Sequence, residues 1–324
     1  MIRIASVLLV LSCASALAAG STDAEVSPAV PDAATTAPSP VVDPNRFGGP
    51  PADAAYGAYQ RGLYLTALNL ARPRAEAGDG AAQTLMAEIL ARGLGVPRNE
   101  TEAATWYQRA AEQGVPEAQF QYALLLMDGR FVKKDEREAY ALLQAAAEAG
   151  NRLAQFNFAQ LLVRREPGDS GMARAVVYYE RAAEAGIADA QYAMAQVYAN
   201  GVGGRPRDEA EARKWLEKAA RQNFDTAQLD LGTWLVEGKG GPRDYKAGFE
   251  WMSRAARGGN VAAQNRLAKL YMAGLGTDPD SILAAAWYFT ARRAGLKDPE
   301  MEDFLDGLTD EEQKEALVRA NRLR

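Results

Sequence analysis

The side chains that enzymes and metal sites use most often are nearly absent from this sequence. Its 324 residues include no histidine, and the single cysteine is Cys13. Serine and cysteine nucleophiles usually depend on a neighbouring histidine, so neither a Ser-His-Asp nor a Cys-His arrangement can form. Zinc sites built from cysteine and histidine are excluded as well. We therefore predict a protein that is not an enzyme, with no catalytic residue, no metal site and no cofactor.

Two further patterns resemble ligand sites, and the sequence supports neither. The segments GVGGRPRD (201–208) and GKGGPRD (238–244) are rich in glycine. They lack the preceding strand and the Gly-Lys-Ser/Thr ending of a phosphate-binding loop. An acidic cluster near the C-terminus has no spacing that would direct its carboxylates to one point, and we interpret it as a solubilising surface. Its members are Glu300, Glu302, Asp303, Asp306, Asp310, Glu311 and Glu312.

The polar residues that could bind a partner are spaced as one face of a helix. They lie two, five and nine positions after a glutamine that recurs along the chain, and these offsets share one side of a helix. We expect them to line the concave groove of a helical array and to bind a protein or peptide. The alternative is a face that is only solvated, as amphipathic helices generally have. The candidates are Gln121, Asn157, Gln160, Arg164, Gln196, Asn200, Asp230, Thr233, Glu237, Arg266 and Lys269.

The recurring glutamine belongs to an Ala-Gln pair that divides the chain into repeats. Successive glutamines are separated by 36, 36, 36, 37 and 36 residues. A constant period in this range indicates a stack of similar supersecondary units. The six glutamines are Gln83, Gln119, Gln155, Gln191, Gln228 and Gln264.

Each repeat is predicted to form two helices, which we call A and B. In the first repeat, helix A extends from Ala81 to Arg92 and ends at Gly93, because glycine readily adopts the left-handed conformation that closes a helix. Asn99 is the predicted N-cap of helix B, with Glu102 three residues later. Every B helix carries a buried-face alanine and a bulky residue four positions earlier, and we interpret both columns as core. The alanines are Ala110, Ala146, Ala182, Ala219, Ala255 and Ala291, and the bulky residues are Trp106, Leu142, Tyr178, Trp215, Trp251 and Trp287.

This pattern resembles the Sel-one-like repeat family, relatives of the tetratricopeptide repeats. The Ala-Gln pairs, the Gly-x-Gly turn at 93–95 and the Trp-Tyr…Ala-Ala helix at 106–111 carry the resemblance. It implies an all-α fold, a right-handed α/α superhelical solenoid of about six 36-residue helix-turn-helix repeats. In such a fold the A helices line the concave side. The resemblance also implies a scaffold or adaptor, often in a bacterial envelope.

Segments with a different composition flank the repeats. Residues 79–295 contain the six repeats, an entry helix pair precedes them at 53–78, and capping helices follow at 296–324. Pro73 should kink or end the second entry helix. The Thr-x-x-Glu sequence at 309–312 predicts a capping box at the start of the last helix.

The N-terminus has the features of an export signal. Residues 1–19 combine Arg3, an apolar run and the small-x-small sequence Ala-Leu-Ala at 16–18, which predict a cleaved signal peptide and a periplasmic location. The apolar run is too short to span a bilayer comfortably, so we expect no transmembrane span. Lipidation at Cys13 is the alternative. Residues 20–52 are rich in proline and alanine and predict a disordered linker.

These observations favour an exported, non-enzymatic scaffold or adaptor that binds an envelope protein or peptide in its groove. Regulation of a membrane sensor or of envelope assembly would suit such a protein. The net charge of −5 argues against a nucleic-acid partner. One alternative is a cell-wall-associated enzyme or enzyme subunit, and another is a cytoplasmic adaptor that keeps its leader. Charge reversal at Arg266 and Lys269 is expected to weaken capture of the partner without changing the melting temperature.

Overall fold

The described residues, 53–323 of a computed structural model, form sixteen α-helices and no strand. The all-α prediction is therefore confirmed for this part of the chain. The predicted signal peptide, the linker and Cys13 lie outside the described residues. The helices are α1 (Ala54–Gln60), α2 (Tyr64–Glu76), α3 (Gly80–Arg92), α4 (Glu100–Glu112), α5 (Pro116–Asp128), α6 (Glu136–Glu148), α7 (Arg152–Arg165), α8 (Asp169–Glu184), α9 (Ala188–Asn200), α10 (Glu209–Arg221), α11 (Asp225–Glu237), α12 (Tyr245–Arg257), α13 (Val261–Ala273), α14 (Ser281–Arg293), α15 (Pro299–Asp306) and α16 (Asp310–Ala320).

From α3 to α14 the helices alternate between A and B, as the repeat predicts. Ten of these twelve helices have 13 residues, whereas α7 has 14 and α8 has 16. None of the sixteen described helices combines the length and the apolar character that crossing a bilayer requires.

The ends of the helices follow from their capping residues. Asn99 accepts a hydrogen bond from the Glu102 amide at the start of α4, as predicted. Aspartates cap the later B helices α10, α12 and α14 in the same way. A left-handed glycine closes five of the six A helices, because a residue with a Cβ is strained in that conformation. These glycines are Gly93, Gly129, Gly201, Gly238 and Gly274.

The third repeat departs from this pattern, as its sequence does. Arg165 replaces the closing glycine, and α7 extends through it to a cap at Glu166. Helix α8 then begins three residues later and carries Gly171 in its first turn. A Cβ at Gly171 would overlap the backbone oxygen of Glu166, so only glycine permits this close approach.

The described part of the chain divides into two compact units, with the boundary between Ala139 and Tyr140. In the first unit, the entry helices α1 and α2 precede α3, and Arg74 joins them. Its guanidinium lies 2.8 Å from Asp53 and 2.5 Å from Asp79, the residues that cap α1 and α3. Helix α2 continues through Pro73 to Glu76, so the proline does not end the helix, which was one of its two predicted effects.

The core of the second unit is built from the predicted columns. Two clusters of buried residues follow one another, the first along α8–α11 and the second along α12–α16. The alanines Ala146, Ala182, Ala219, Ala255 and Ala291 are 0% exposed. Trp215 and Trp287 are buried, while Tyr178 and Trp251 are partly buried. The small alanines let neighbouring helices approach closely, and the assignment of both columns to the core is confirmed.

The C-terminal helices cover the last repeat. Leu305 and Ala316 are buried in the cluster of α12–α16, whereas Leu317 is 39% exposed and contributes little to the cap. Thr309 and Glu312 form the predicted capping box of α16. An uncovered terminal repeat would expose apolar surface to water, so the extension completes the array.

Candidate functional site

The candidate binding residues of the second unit lie on four A helices, α7, α9, α11 and α13. Arg164, Asn200, Glu237 and Arg266 are exposed on these helices. The other candidates there are partly buried: Asn157, Gln160, Gln196, Asp230, Thr233 and Lys269. None of the ten is fully buried, so this face remains polar and accessible along four successive A helices. We call these ten residues the A-helix face.

The remaining candidate, Gln121, lies in the first unit and is partly buried on α5. Its amide donates a hydrogen bond to Glu117 Oε1 at 3.1 Å on the same helix. In the preceding A helix, α3, the equivalent positions hold Leu85 and Glu88, which are 0% and 5% exposed. Arg92 pairs with Glu88 at 3.0 Å and donates to Tyr59 Oη of α1 at 3.4 Å. The entry helix therefore lies against this face of the first repeat.

Several residues of the A-helix face are bound to their own helix. The amides of Asn157 and Asn200 donate to the carbonyls of Leu153 and Gln196, four residues earlier, at 2.8 and 2.9 Å. The Thr233 hydroxyl donates to the carbonyl of Leu229 at 2.9 Å. Each of these short polar side chains satisfies one donor locally, and the two asparagines leave their amide oxygens for another ligand.

Other residues connect one A helix to the next. The Tyr192 hydroxyl of α9 donates to Asp230 Oδ2 of α11 at 2.9 Å. Arg266 of α13 donates to Thr233 Oγ1 of α11 at 2.7 Å. The sequence did not indicate these bonds, because they join residues more than thirty positions apart.

The C-terminal cap approaches the same face through Lys269. Its ammonium lies 2.8 Å from Asp298 and 2.6 Å from Glu300. Burial lowers the pKa of Lys269, but the hydrogen bonds to the two carboxylates outweigh this effect and leave the pKa raised. Lys269 therefore helps to hold the cap. The structure does not support the expectation that its charge reversal would leave the melting temperature unchanged.

Burial also perturbs the Tyr192–Asp230 pair. It raises the pKa of Asp230, although the hydrogen bond from Tyr192 and the charge of Arg266 act in the opposite direction. It raises the pKa of Tyr192 as well, and the neighbouring Asp230 carboxylate adds to that increase. The raised pKa of Tyr192 keeps its hydroxyl protonated, as the donor to Asp230. Within residues 53–323, no group of three or more acidic side chains is arranged to hold a metal ion.

The recurring glutamine has a role that the sequence analysis missed. In all six repeats its side-chain nitrogen donates to the carbonyl of the alanine eight residues earlier, next to the end of the preceding B helix. Helix C-terminal carbonyls lack intrahelical partners, and these bonds fasten each B helix to the following A helix. The constant eight-residue spacing from an alanine was the available signal. The donor–acceptor distances range from 3.0 Å at Gln83 to 3.5 Å at Gln119.

Comparison with known proteins agrees with this architecture. The Sel1 repeat matches six consecutive segments, at residues 80–115, 116–151, 154–187, 188–224, 226–260 and 261–296. A search of curated proteins finds no match.

Two solved structures share the fold. A Sel1 repeat protein from Oxalobacter formigenes is 27% identical, with a TM-score of 0.62 over 75% of this chain and 97% of that one. A protective antigen present in uropathogenic Escherichia coli strains, which displays an SLR fold, is also 27% identical. Its TM-score is 0.57 over 84% of this chain and 67% of the antigen. Together, the six matched repeats, the paired helices and the glutamine contacts show that this chain belongs to the Sel1 repeat family.

Proposed function

We propose that this chain is a non-enzymatic scaffold that binds an extended segment of a protein partner on the A-helix face. Sel1 repeats are a protein-interaction fold, and stacked repeats commonly use the surface formed by one helix of each pair. The supporting observation is that ten polar side chains remain accessible on four successive A helices. The amide and hydroxyl groups of the A-helix face can form hydrogen bonds with the backbone of an extended segment. Arg164 and Glu237 supply exposed charges of opposite sign.

We propose further that the partner is an envelope protein and that the chain acts in the periplasm. The support for this location is the signal-like composition of residues 1–19 and the proline-rich sequence of residues 20–52. Fractionation of cells followed by intact-mass measurement tests the location. Recovery of a periplasmic form that lacks the first 19 residues is expected, and a cytoplasmic form with the complete leader would reject export.

The binding surface can be tested by crosslinking in intact cells. A photo-crosslinking residue at Asn200, which is exposed on an A helix, should capture the partner for identification by mass spectrometry. The matched control is Lys246, which is exposed on the B helix α12. Capture from Lys246 but not from Asn200 would place the partner on the other side of the repeats.

Charge reversal then tests whether the A-helix face supplies the affinity. Arg164→Glu and Glu237→Arg change exposed side chains for which the described part of the chain shows no hydrogen bond or ion pair. Each variant should reduce capture several-fold, while helical content and melting temperature remain close to those of the wild type. Unchanged capture by both variants would contradict binding at this face.

A further inference from the structure

One exposed position of the B helices changes the sign of its charge halfway along the repeats. This position is two residues after the buried alanine of each B helix, and we call its six residues the B-end column. They are Glu112, Glu148, Glu184, Arg221, Arg257 and Arg293, and all six are exposed.

The helix dipole does not account for this order. The C-terminal turn of a helix favours cations and disfavours anions, so the dipole alone would favour a cation in every repeat. The first three repeats instead carry glutamate where the last three carry arginine. The nearest partners of these residues differ, since Gln144 donates to Glu148, Arg221 contacts Glu217, and Arg293 donates to Asn321. All six side chains nevertheless remain exposed, so the order of their charges is presented to a second molecule.

The glutamine contacts fix where the column lies. Gln191 binds the carbonyl of Ala183, and Gln228 binds that of Ala220, both at 3.1 Å. Glu184 and Arg221 directly follow these alanines, so they lie at corresponding points of α8 and α10. Arg221 contacts Glu217 at 2.5 Å on its own helix, yet its side chain remains 70% exposed. Both charges are therefore accessible to a second molecule.

We propose that the B-end column is an interface between two copies of this chain, related by a two-fold axis parallel to the B helices and passing between α8 and α10. Rotation about this axis keeps the direction of the helices and reverses the order of the repeats. Glu184 then faces the partner's Arg221, and Glu148 faces the partner's Arg257. Two-fold symmetry produces each of these pairs twice.

Charge complementarity selects this arrangement over the other face-to-face dimer. An axis along the stack of repeats would keep their order and set Arg221 against the partner's Arg221. Like charges at an interface are unfavourable, so that dimer is rejected. Arg181 and Lys218, one turn earlier, also meet as like charges in the proposed dimer. Each lies over an aromatic ring of its own helix, at 5.5 Å from the Tyr178 ring centre and 3.6 Å from that of Trp215, which holds the cations against their own helices.

The association of the purified full-length chain can be measured by sedimentation velocity. We expect a monomer–dimer equilibrium at low ionic strength that shifts to monomer at about 0.5 M salt, where the Debye length is only a few ångströms. Glu184→Arg and Arg221→Glu should each raise the dimer dissociation constant at least about tenfold, because each reversal converts two symmetry-related attractions into repulsions.

Restoration is the decisive result. The double variant that carries both reversals should dimerise as the wild type does, and an equimolar mixture of the two single variants should form a heterodimer. Arg164→Glu and Glu237→Arg, the same charge changes on the A-helix face, should leave dimerisation unaltered. Circular dichroism checks that every variant is folded.

Three outcomes would overturn the proposal. The first is a wild-type monomer at about 100 µM and low ionic strength, conditions that favour association between complementary charges. The second is a dimer that the single reversals do not weaken, and the third is failure of the double variant to recover. An acidic protein that binds the arginine half of the column instead would be weakened by Arg221→Glu and not restored by adding Glu184→Arg.

Discussion

The glutamine that recurs in every repeat allows a quantitative test of how the helices are held together. In Gln155→Met the side chain keeps its length and its helix propensity, since methionine and glutamine are nearly equivalent helix formers. The substitution removes the hydrogen bond from Gln155 Nε2 to the carbonyl of Ala147, which measures 3.2 Å. The side chain is 6% exposed, so water cannot readily replace the lost donor.

The expected loss follows from the partners of that carbonyl. A hydrogen bond within a protein contributes about 0.5–1.5 kcal/mol net. The Ala147 oxygen also accepts the Gly150 amide at 3.1 Å, so it is not left without a partner and the full desolvation penalty does not arise. We therefore expect Gln155→Met to lower the free energy of unfolding by about 1 kcal/mol.

Urea denaturation followed by circular dichroism measures this difference. Gln160→Met is the matched control, because Gln160 lies on the same helix, α7, and is partly exposed. Its effect should remain within about 0.5 kcal/mol, as is usual for surface substitutions. The slope of the transition should be the same in both variants. Equal stability of the two variants would refute the view that the glutamine fastens one repeat to the next.

Three more predictions concern particular contacts of the second unit. Asp230→Asn should stabilise the chain at neutral pH. The pKa of Asp230 in the folded state lies above its ordinary value of 3.8, so the wild type loses stability as the pH rises from 3.8 through the folded-state pKa. Asparagine does not titrate, so the variant avoids this loss. Parallel pH–stability curves for the two proteins would contradict this. Lys269→Met should cost about 1 kcal/mol at pH 7, a value discounted for the partial exposure of its ion pairs. Burial raises the pKa of Asp298, but the bonds from Lys269 and Asn265 lower it more, so the folded-state pKa lies below 3.8. The difference in stability between the wild type and Lys269→Met should therefore shrink as the pH falls from 3.8 through the folded-state pKa of Asp298. Gly171→Ala should lower the unfolding free energy by about 1–3 kcal/mol in thermal or urea melts, because its Cβ would overlap the Glu166 carbonyl; a wild-type melting curve would show that the loop can relax.

Much of the helical architecture could be predicted from local patterns. The 36-residue period, the left-handed glycines and the Asn99 cap each depend on residues a few positions apart, so they are visible in the sequence. The alanine column was also predictable, because a residue that is small in every repeat marks a place where helices approach closely. Of the two effects predicted for Pro73, an end of the helix is wrong, because α2 continues to Glu76.

The candidate site was predictable only as a face. Periodicity placed Thr233, Arg266 and Lys269 on one side of their helices, and the structure agrees that none of them is fully buried. Periodicity did not reveal that Arg266 bonds Thr233, nor that Lys269 pairs with Asp298 and Glu300. The same pattern could not separate residues that hold the protein together from residues that remain available to a partner.

The sequence by itself determined the repeat, the length and limits of most helices, and the side of each helix that faces the core, because these depend on spacing within one or two turns. Only the tertiary structure decided that each recurring glutamine binds the preceding B helix. It also decided that Tyr192 reaches Asp230 and that the cap binds Lys269. Those contacts depend on the distance and rotation between successive helices, which packing sets and helical periodicity does not encode.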